Sequence, residues 1–233
     1  MTDSISSPRR LPFDPERLPI FTDTPLLPPV APERLSVEGL RQCFRAPRDW
    51  QPELLKDTRS KLADLVHAAV LVPLVNRSQG LTVMFTRRTA NLSNHAAQIS
   101  FPGGRCDPDD ADATAAALRE AHEEVGLDSR HVEVLGTLPE YLTGTGFRVS
   151  PVVALVHPPF SVFPAEAEVA EIFEVPLEYL MDPVNHQIRS LVWEGGERHF
   201  FAMPYPRQQG EGVHFIWGAT AGMLRNLYRF LVA

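Results

Sequence analysis

The stretch Gly103–Leu127, read GGRCDPDDADATAAALREAHEEVGL, constrains the fold more than any other part of the chain. Within it Glu120, Glu123 and Glu124 stand at i, i+3 and i+4. At about 100° per residue on a helix, these three carboxylates point in nearly one direction. Leu118, Ala121 and Val125 share a different, apolar face. A helix built this way seats itself on a core and holds out a cluster of acids. Asp112 is a good N-cap and Gly126 a good C′ residue, so the spacing predicts a helix between them. The cluster has a cost, because like charges four residues apart destabilise a helix by roughly 0.2–0.5 kcal/mol per pair. Arg119, four residues before Glu123, offsets part of it, and a divalent cation would offset more. Hard carboxylate oxygens suit Mg²⁺, Mn²⁺ or Ca²⁺ better than zinc. The plain alternative is a solvated, charged helix face.

The flanking residues weigh against that alternative. Arg119-Glu120-Ala121-His122-Glu123-Glu124-Val125-Gly126-Leu127, preceded by Phe101-Pro102-Gly103-Gly104, closely resembles the Nudix box, the strand-loop-helix-loop motif of the Nudix hydrolases. The general pattern has a glutamate six residues after the second glycine and eight before the arginine. Here Asp110 lies six after Gly104 but nine before Arg119, so the loop is one residue longer and carries aspartate at that place. Just upstream, residues 88–104, read RTANLSNHAAQISFPGG, resemble the extra motif of the coenzyme A pyrophosphatase branch. That branch reads R-S/T, then L, then H-X-G-Q-I-S/A-F-P-G-G, and Ala97 stands where it has glycine. The two matches together cover about 40 continuous residues, and weaker similarity runs on through 168–177 and 217–221.

The resemblance implies an α/β (α+β) fold, the Nudix fold, with a mixed sheet between helices. It implies metal binding by Glu120, Glu123 and Glu124, which match the family's glutamates position by position, with a backbone carbonyl of Gly103 or Gly104 as a further ligand and Mg²⁺ or Mn²⁺ as the cofactor. Arg119 is expected to orient the glutamates. Glu168 is the choice for a later glutamate that joins the metal or activates water, with Glu140, Glu166 and Glu171 as competitors. Arg88, Arg105 and Arg148 are candidates to read substrate phosphates, since guanidinium groups match phosphate geometry, and surface salt bridges are the alternative for each. Gly103 and Gly104 permit close approach of backbone to a ligand. His95 and Gln98 belong to the narrower motif, and a structural hydrogen-bonding role is the expectation for His95. Ser100 has no partner pattern for nucleophilic catalysis, and Trp217 and Thr220 read as packing and capping residues.

The reaction implied is metal-dependent hydrolysis of the pyrophosphate bond of coenzyme A or its thioesters. The products would be 4′-phosphopantetheine, or its acyl form, and adenosine 3′,5′-bisphosphate. The alternatives are a Nudix pyrophosphatase for ADP-ribose or a dinucleotide, and a Nudix-fold binding module without turnover. The intact acids argue against the last. A homodimer is left open.

Composition limits the partners. A net charge of −7 argues against a general nucleic-acid binder, and an anionic substrate then needs a metal or local arginines to reverse the sign. The two cysteines, Cys43 and Cys106, form no disulfide framework or zinc spacing, which favours a reducing compartment. No run approaches 18 apolar residues and no apolar stretch follows Arg9-Arg10, so neither a membrane span nor a secretory leader is expected, and the cytoplasm is the expected location.

Residues 1–34, with eight prolines in the first 32 positions, read as an extended or partly disordered arm, with Phe21 and Leu26-Leu27 as points that pin it to a neighbouring surface. Residues 35–233 read as one domain. A short helix is predicted from Ser36 to about Phe44, and a polar loop over 49–62. The run 68–75 predicts a buried strand in which Pro73 forces a bulge or an edge position. Residues 81–87 alternate as a half-buried strand, and 132–138 and 147–156 are strands around a turn at 143–146. Pro151 again suggests a bulge or edge. Residues 168–173 lead into a short helix over 175–180, 188–194 and 198–203 form a hairpin, and 214–217 lead into a final amphipathic helix, 219–231.

Overall fold

In the computed structural model, residues 13–21, 27–53, 65–89, 97–193, 196–208 and 210–233 are described. The chain enters through a two-residue strand, β1 (Ile20–Phe21), and a first helix, α1 (Val37–Arg45). Ser36 caps α1 as its side chain accepts from the Gly39 amide at 3.0 Å. The first large sheet then begins with β2 (Val66–Arg77) and β3 (Gly80–Arg88), joined by a tight turn. The box loop supplies β4 (Ile99–Ser100) and β5 (Gly103–Arg105), followed by the acidic helix α2 (Ala113–Val125). Next come β6 (Val132–Thr137), β7 (Tyr141–Leu142), β8 (Phe147–Val156) and β9 (Val169–Pro176), then a short helix, α3 (Leu177–Met181). A hairpin of β10 (Gln187–Trp193) and β11 (Gly196–Pro206) follows, with β12 (Val213–Trp217) leading into α4 (Gly218–Val232).

These strands form two sheets. One has the order β1-β10-β11-β12; the other is mixed, with the path β4-β3-β2-β8-β6 and β5, β7 and β9 alongside. The mixed sheet lies between helices, and the alternation of β2 shows how. Ala69, Leu71 and Val75 pack under Ala116, Ala117, Ala121 and Val125 of α2. Ala68, Val72 and Leu74 face the other way, into the core shared with α1, α4 and the four-stranded sheet. Both faces of the central strands are buried, which is why β2 reads as a continuous apolar run.

Two expectations about prolines are corrected. Pro73 and Pro151 are neither at sheet edges nor in bulges. Both lie inside the parallel β2–β8 ladder, at the register pairs Pro73↔Ala154 and Val70↔Pro151. The physical reason lies on the other side of each strand. β2 pairs β5 over Ala68–Val70 and β3 over Leu74–Arg77, so Pro73 falls where one partner gives way to the next. β8 pairs β7 at Arg148 and Val149 and β6 from Val152 onward, and Pro151 falls in that gap. A missing N–H is tolerated there because no strand stands opposite. A third correction concerns residues 169–176: they form strand β9, paired along β3, and α3 starts only at Leu177.

The described parts of the N-terminal arm lie on the body of the protein. Ile20 and Phe21 pair with Arg189 and Ile188, and the Phe21 ring lies 5.2 Å from that of His199. Leu27 packs on the main core, and Leu26 falls outside the described residues. Among the described residues no helix is long and apolar enough to cross a membrane.

Candidate active site

Helix α2 has the bounds its sequence dictates. The Asp112 carboxylate accepts from the Ala115 amide at 2.8 Å and fixes the start. Gly126 ends the helix in the left-handed region at φ 67°, where glycine carries no Cβ penalty. The apolar face seats α2 on β2, β5 and β8, and this brings its acids against the Gly103–Gly104 backbone.

The three glutamates experience different surroundings. Glu124 is buried; one oxygen accepts from the Gly103 amide at 3.2 Å and the other from Arg88 Nη1 at 3.3 Å. Burial pushes its carboxyl up to about 7, against the Gly103 hydrogen bond and the Arg88 charge, with Glu120 and Glu168 adding to the rise. Glu120 lies against Gly104 so closely that a Cβ there would sit 2.5 Å from the carboxylate. Burial raises Glu120 as well, opposed by Arg119 and helped by Glu123 and Glu168. Glu123 is turned outward, 57% exposed, with Arg119 Nη1 at 3.2 Å.

Arg119 is the hub beneath them. Its Nη1 reaches Glu120 at 3.0 Å, and its Nη2 donates to the Arg105 carbonyl at 3.1 Å. Asp110 grips the same guanidinium through Nε at 3.0 Å and Nη2 at 2.9 Å. This pairing holds Asp110 below its ordinary value and raises Arg119 above its own. From the sequence alone, the longer loop and the aspartate in place of glutamate weigh against a role for Asp110. The available signal was its position six residues after Gly104, and the extra residue between Asp110 and Arg119 does not break the pair.

The other candidates divide into groups. Arg88 stands between Glu124 and Glu168, with Nη2 at 3.8 Å from the latter, so its guanidinium is engaged with acids rather than held free. Glu168 is half-exposed at the start of β9, and its carbonyl accepts from the Thr89 amide at 2.9 Å. Its competitors lie elsewhere: Glu171 pairs with Arg87 at 2.8 Å, Glu140 faces Arg148 at 3.7 Å, and Glu166 is exposed. Arg105 and Arg148 do not converge. Arg105 is in register with Ala68 and lies 5.8 Å over the Phe147 ring, on the face away from α2. Arg148 alternates with Phe147 and Val149 and therefore emerges on the opposite face. His95 lies outside the described residues.

The donor set is all hard oxygen. Among the described residues no three acid, imidazole or thiol groups close on a single point. Hard oxygen donors suit Mg²⁺ or Mn²⁺, which are commonly held by one or two carboxylates with water and phosphate oxygens completing the shell. Two desolvated carboxylates, Glu124 raised in part by the Glu120 charge and Glu120 in part by the charges of Glu123 and Glu168, gain from a cation beside them.

The fold and the helix define a hydrolase site of the box-helix type. Residues 65–194 match the NUDIX domain. The chain belongs to the Nudix family. It is 37% identical over 178 residues to an uncharacterized Nudix hydrolase, NudL, of Enterobacter sp. strain 638, covering 76% of this chain and 86% of the relative. It is 40% identical over 161 residues to the NudL of Escherichia coli K12, covering 69% and 80%. Among solved structures, a Caenorhabditis elegans Ap4A hydrolase binary complex aligns with a TM-score of 0.42 at 20% identity, over 48% of this chain and 80% of that one. Its family membership makes the chain a hydrolase acting on pyrophosphate bonds, and Nudix hydrolases act on small nucleotide derivatives. Nudix hydrolases generally use divalent metal ions.

Proposed function

We propose that this protein hydrolyses the pyrophosphate bond of coenzyme A or its thioesters, releasing 4′-phosphopantetheine (or its acyl form) and adenosine 3′,5′-bisphosphate. The observation that carries the substrate class is the segment Arg88–Gly104, which resembles the coenzyme A branch and whose two ends, Arg88 and the Gly103 amide, both meet Glu124. Family membership supports the reaction class.

In this reading Glu120, Glu123, Glu124 and the Gly104 carbonyl hold Mg²⁺ or Mn²⁺. The ion supplies charge neutralisation on the phosphoryl oxygens and a lowered pKa for the attacking water. Arg119 keeps Glu120 and Glu123 in register and is itself fixed by Asp110. Glu168, beside Arg88 and half-exposed, takes the proton as water adds to one phosphorus. One P–O bond forms, the bridging P–O bond breaks, and the other phosphate leaves with the bridging oxygen. Arg88 lies where it can exchange an acid for a phosphate oxygen, and Arg105 and Arg148 flank the β2–β8 end from opposite faces.

The test is product analysis by mass spectrometry after incubation with coenzyme A and Mg²⁺, alongside Mn²⁺, a chelator control, ADP-ribose and a dinucleotide. Metal-dependent appearance of both products is expected. A preference for ADP-ribose or the dinucleotide would discard the coenzyme A reading and leave the pyrophosphatase standing.

A further inference from the structure

At the end of β3 two consecutive arginines leave in opposite directions. Arg88 faces α2 and the acids. Arg87 faces away, its Nε 2.8 Å from Glu171 on β9. On that second face His214 of β12 stacks on Phe173, with ring centres 3.8 Å apart and planes at 8°. Phe173 stacks in turn on Phe85, and Phe85 on Phe101 of the box segment, so a line of rings joins His214 to the loop that carries Gly103.

His214 is 6% exposed, and among the described residues its imidazole makes no hydrogen bond. Nδ1 is buried without a partner, and Nε2 stands 4.0 Å from Glu171 Oε1. A buried polar nitrogen left unpaired carries its full desolvation cost. Burial lowers the imidazole below its ordinary range; Arg207 and Arg87 act in the same direction and Glu171 against it. The neutral ring therefore offers one donor and one acceptor. Around it Arg87, Glu171, Phe173, Tyr205 and Arg207 are only partly buried, so the rim opens to solvent.

We propose that this rim, formed by Glu171, His214 and Arg87 on the sheet face away from α2, is a subsite that reads the hydrogen-bonding edge of the substrate's nucleobase. The inference rests on cleavage of the pyrophosphate at Glu120, Glu123 and Glu124. Phosphates bound at the metal site that Glu124 would help to hold lie beside Arg88, one residue along β3 from Arg87, so the rest of the substrate has only to pass the ends of β3 and β9 to reach the second face. A base edge places N–H donors beside ring-nitrogen acceptors. A neutral imidazole, a carboxylate and a guanidinium match that mixed pattern. They match a bare phosphate poorly, because the Glu171 carboxylate repels it.

His214→Phe keeps a flat ring over Phe173 and removes both nitrogens. Binding of AMP and of ribose 5-phosphate, which lacks the base, is measured by calorimetry on wild type and variant, with circular dichroism to verify folding. AMP binding is expected to weaken about tenfold, as one lost hydrogen bond requires, with ribose 5-phosphate unaltered. KM for the substrate turned over should rise by more than kcat falls. Glu171→Gln serves as the second variant and should weaken AMP in the same direction. Equal losses for both probes, or none for either, would overturn the subsite. If wild type hydrolyses ADP-ribose rather than coenzyme A, the substrate reading fails while the contrast between AMP and ribose 5-phosphate still decides the subsite.

Discussion

Asp110 and Arg119 meet in a two-point ion pair, Nε to Oδ1 at 3.0 Å and Nη2 to Oδ2 at 2.9 Å. The Asp107 amide also donates to Asp110 at 2.7 Å. The box loop is thereby tied to the guanidinium that spaces Glu120 and Glu123. Asp110→Asn keeps the shape and removes the charge, so Arg119 is free to close on the glutamates. Outer partners of metal ligands typically govern about 10–100-fold in affinity or activity. A loss in that range is expected for both Mn²⁺ affinity, read by electron paramagnetic resonance, and turnover. Unaltered Mn²⁺ affinity would show that the pair does nothing beyond shaping the loop.

Ala97 is the one non-glycine residue with positive φ among those described, at 59°. It occupies the position where the related motif carries glycine. An L-residue in the left-handed region costs about 1–2 kcal/mol, and glycine's extra unfolded-state entropy returns roughly 0.5–1 of that. Ala97→Gly should therefore stabilise by about 0.5–1 kcal/mol, visible as a higher denaturant midpoint with an unaltered slope. A lower midpoint would mean that the exposed Ala97 side chain contributes more than its backbone costs.

The box helix was legible in the sequence because its signals are local: Asp112 and Gly126 set its ends, and the 3.6-residue period sets its faces. The hairpin of β10 and β11 and helix α4 were legible for the same reason. What escaped depends on contacts distant in sequence. Residues 169–176 become a strand because Phe173 and Val175 find Phe85 and Val83 on β3, ninety residues earlier. Pro73 and Pro151 are harmless because a neighbouring strand ends beside each, which no window around the proline can show. Arg105 and Arg148 were grouped by closeness to the expected site, but sheet register sends them to opposite faces.

Glu123 separates function from stability. Its side chain is 57% exposed, and its carboxylate pairs with Arg119. Glu123→Gln should leave the melting transition within about 0.5 kcal/mol of wild type, as surface substitutions do. In the proposed metal role it should lower kcat by about a hundredfold or more, the scale of losing one preorganised charge at a reacting centre. Full activity in this variant would remove Glu123 from the metal set.

Glu124 and His186 oppose each other across one pH window. Burial lifts Glu124 from 4.5 to about 7 and draws His186 from 6.5 to about 4. His186 is held neutral between the Leu180 carbonyl at 2.7 Å and Arg225 at 3.0 Å. The raised Glu124 binds more protons in the folded state, so its contribution is full below 4.5 and is lost as pH rises through about 7. The depressed His186 binds fewer, so its contribution is full above 6.5 and is lost as pH falls through about 4. Between 4.5 and 6.5 the two slopes oppose, and with a chelator present the wild-type melting temperature should stay nearly level. Glu124→Gln should make it rise with pH across that window, and His186→Gln should make it fall, each by roughly 2–4 °C per pH unit. Saturating Mg²⁺ or Mn²⁺ should turn the wild-type slope upward, because the ion binds only the carboxylate form of Glu124. Parallel profiles for all three proteins under chelation would mean that neither group changes its proton occupancy on folding.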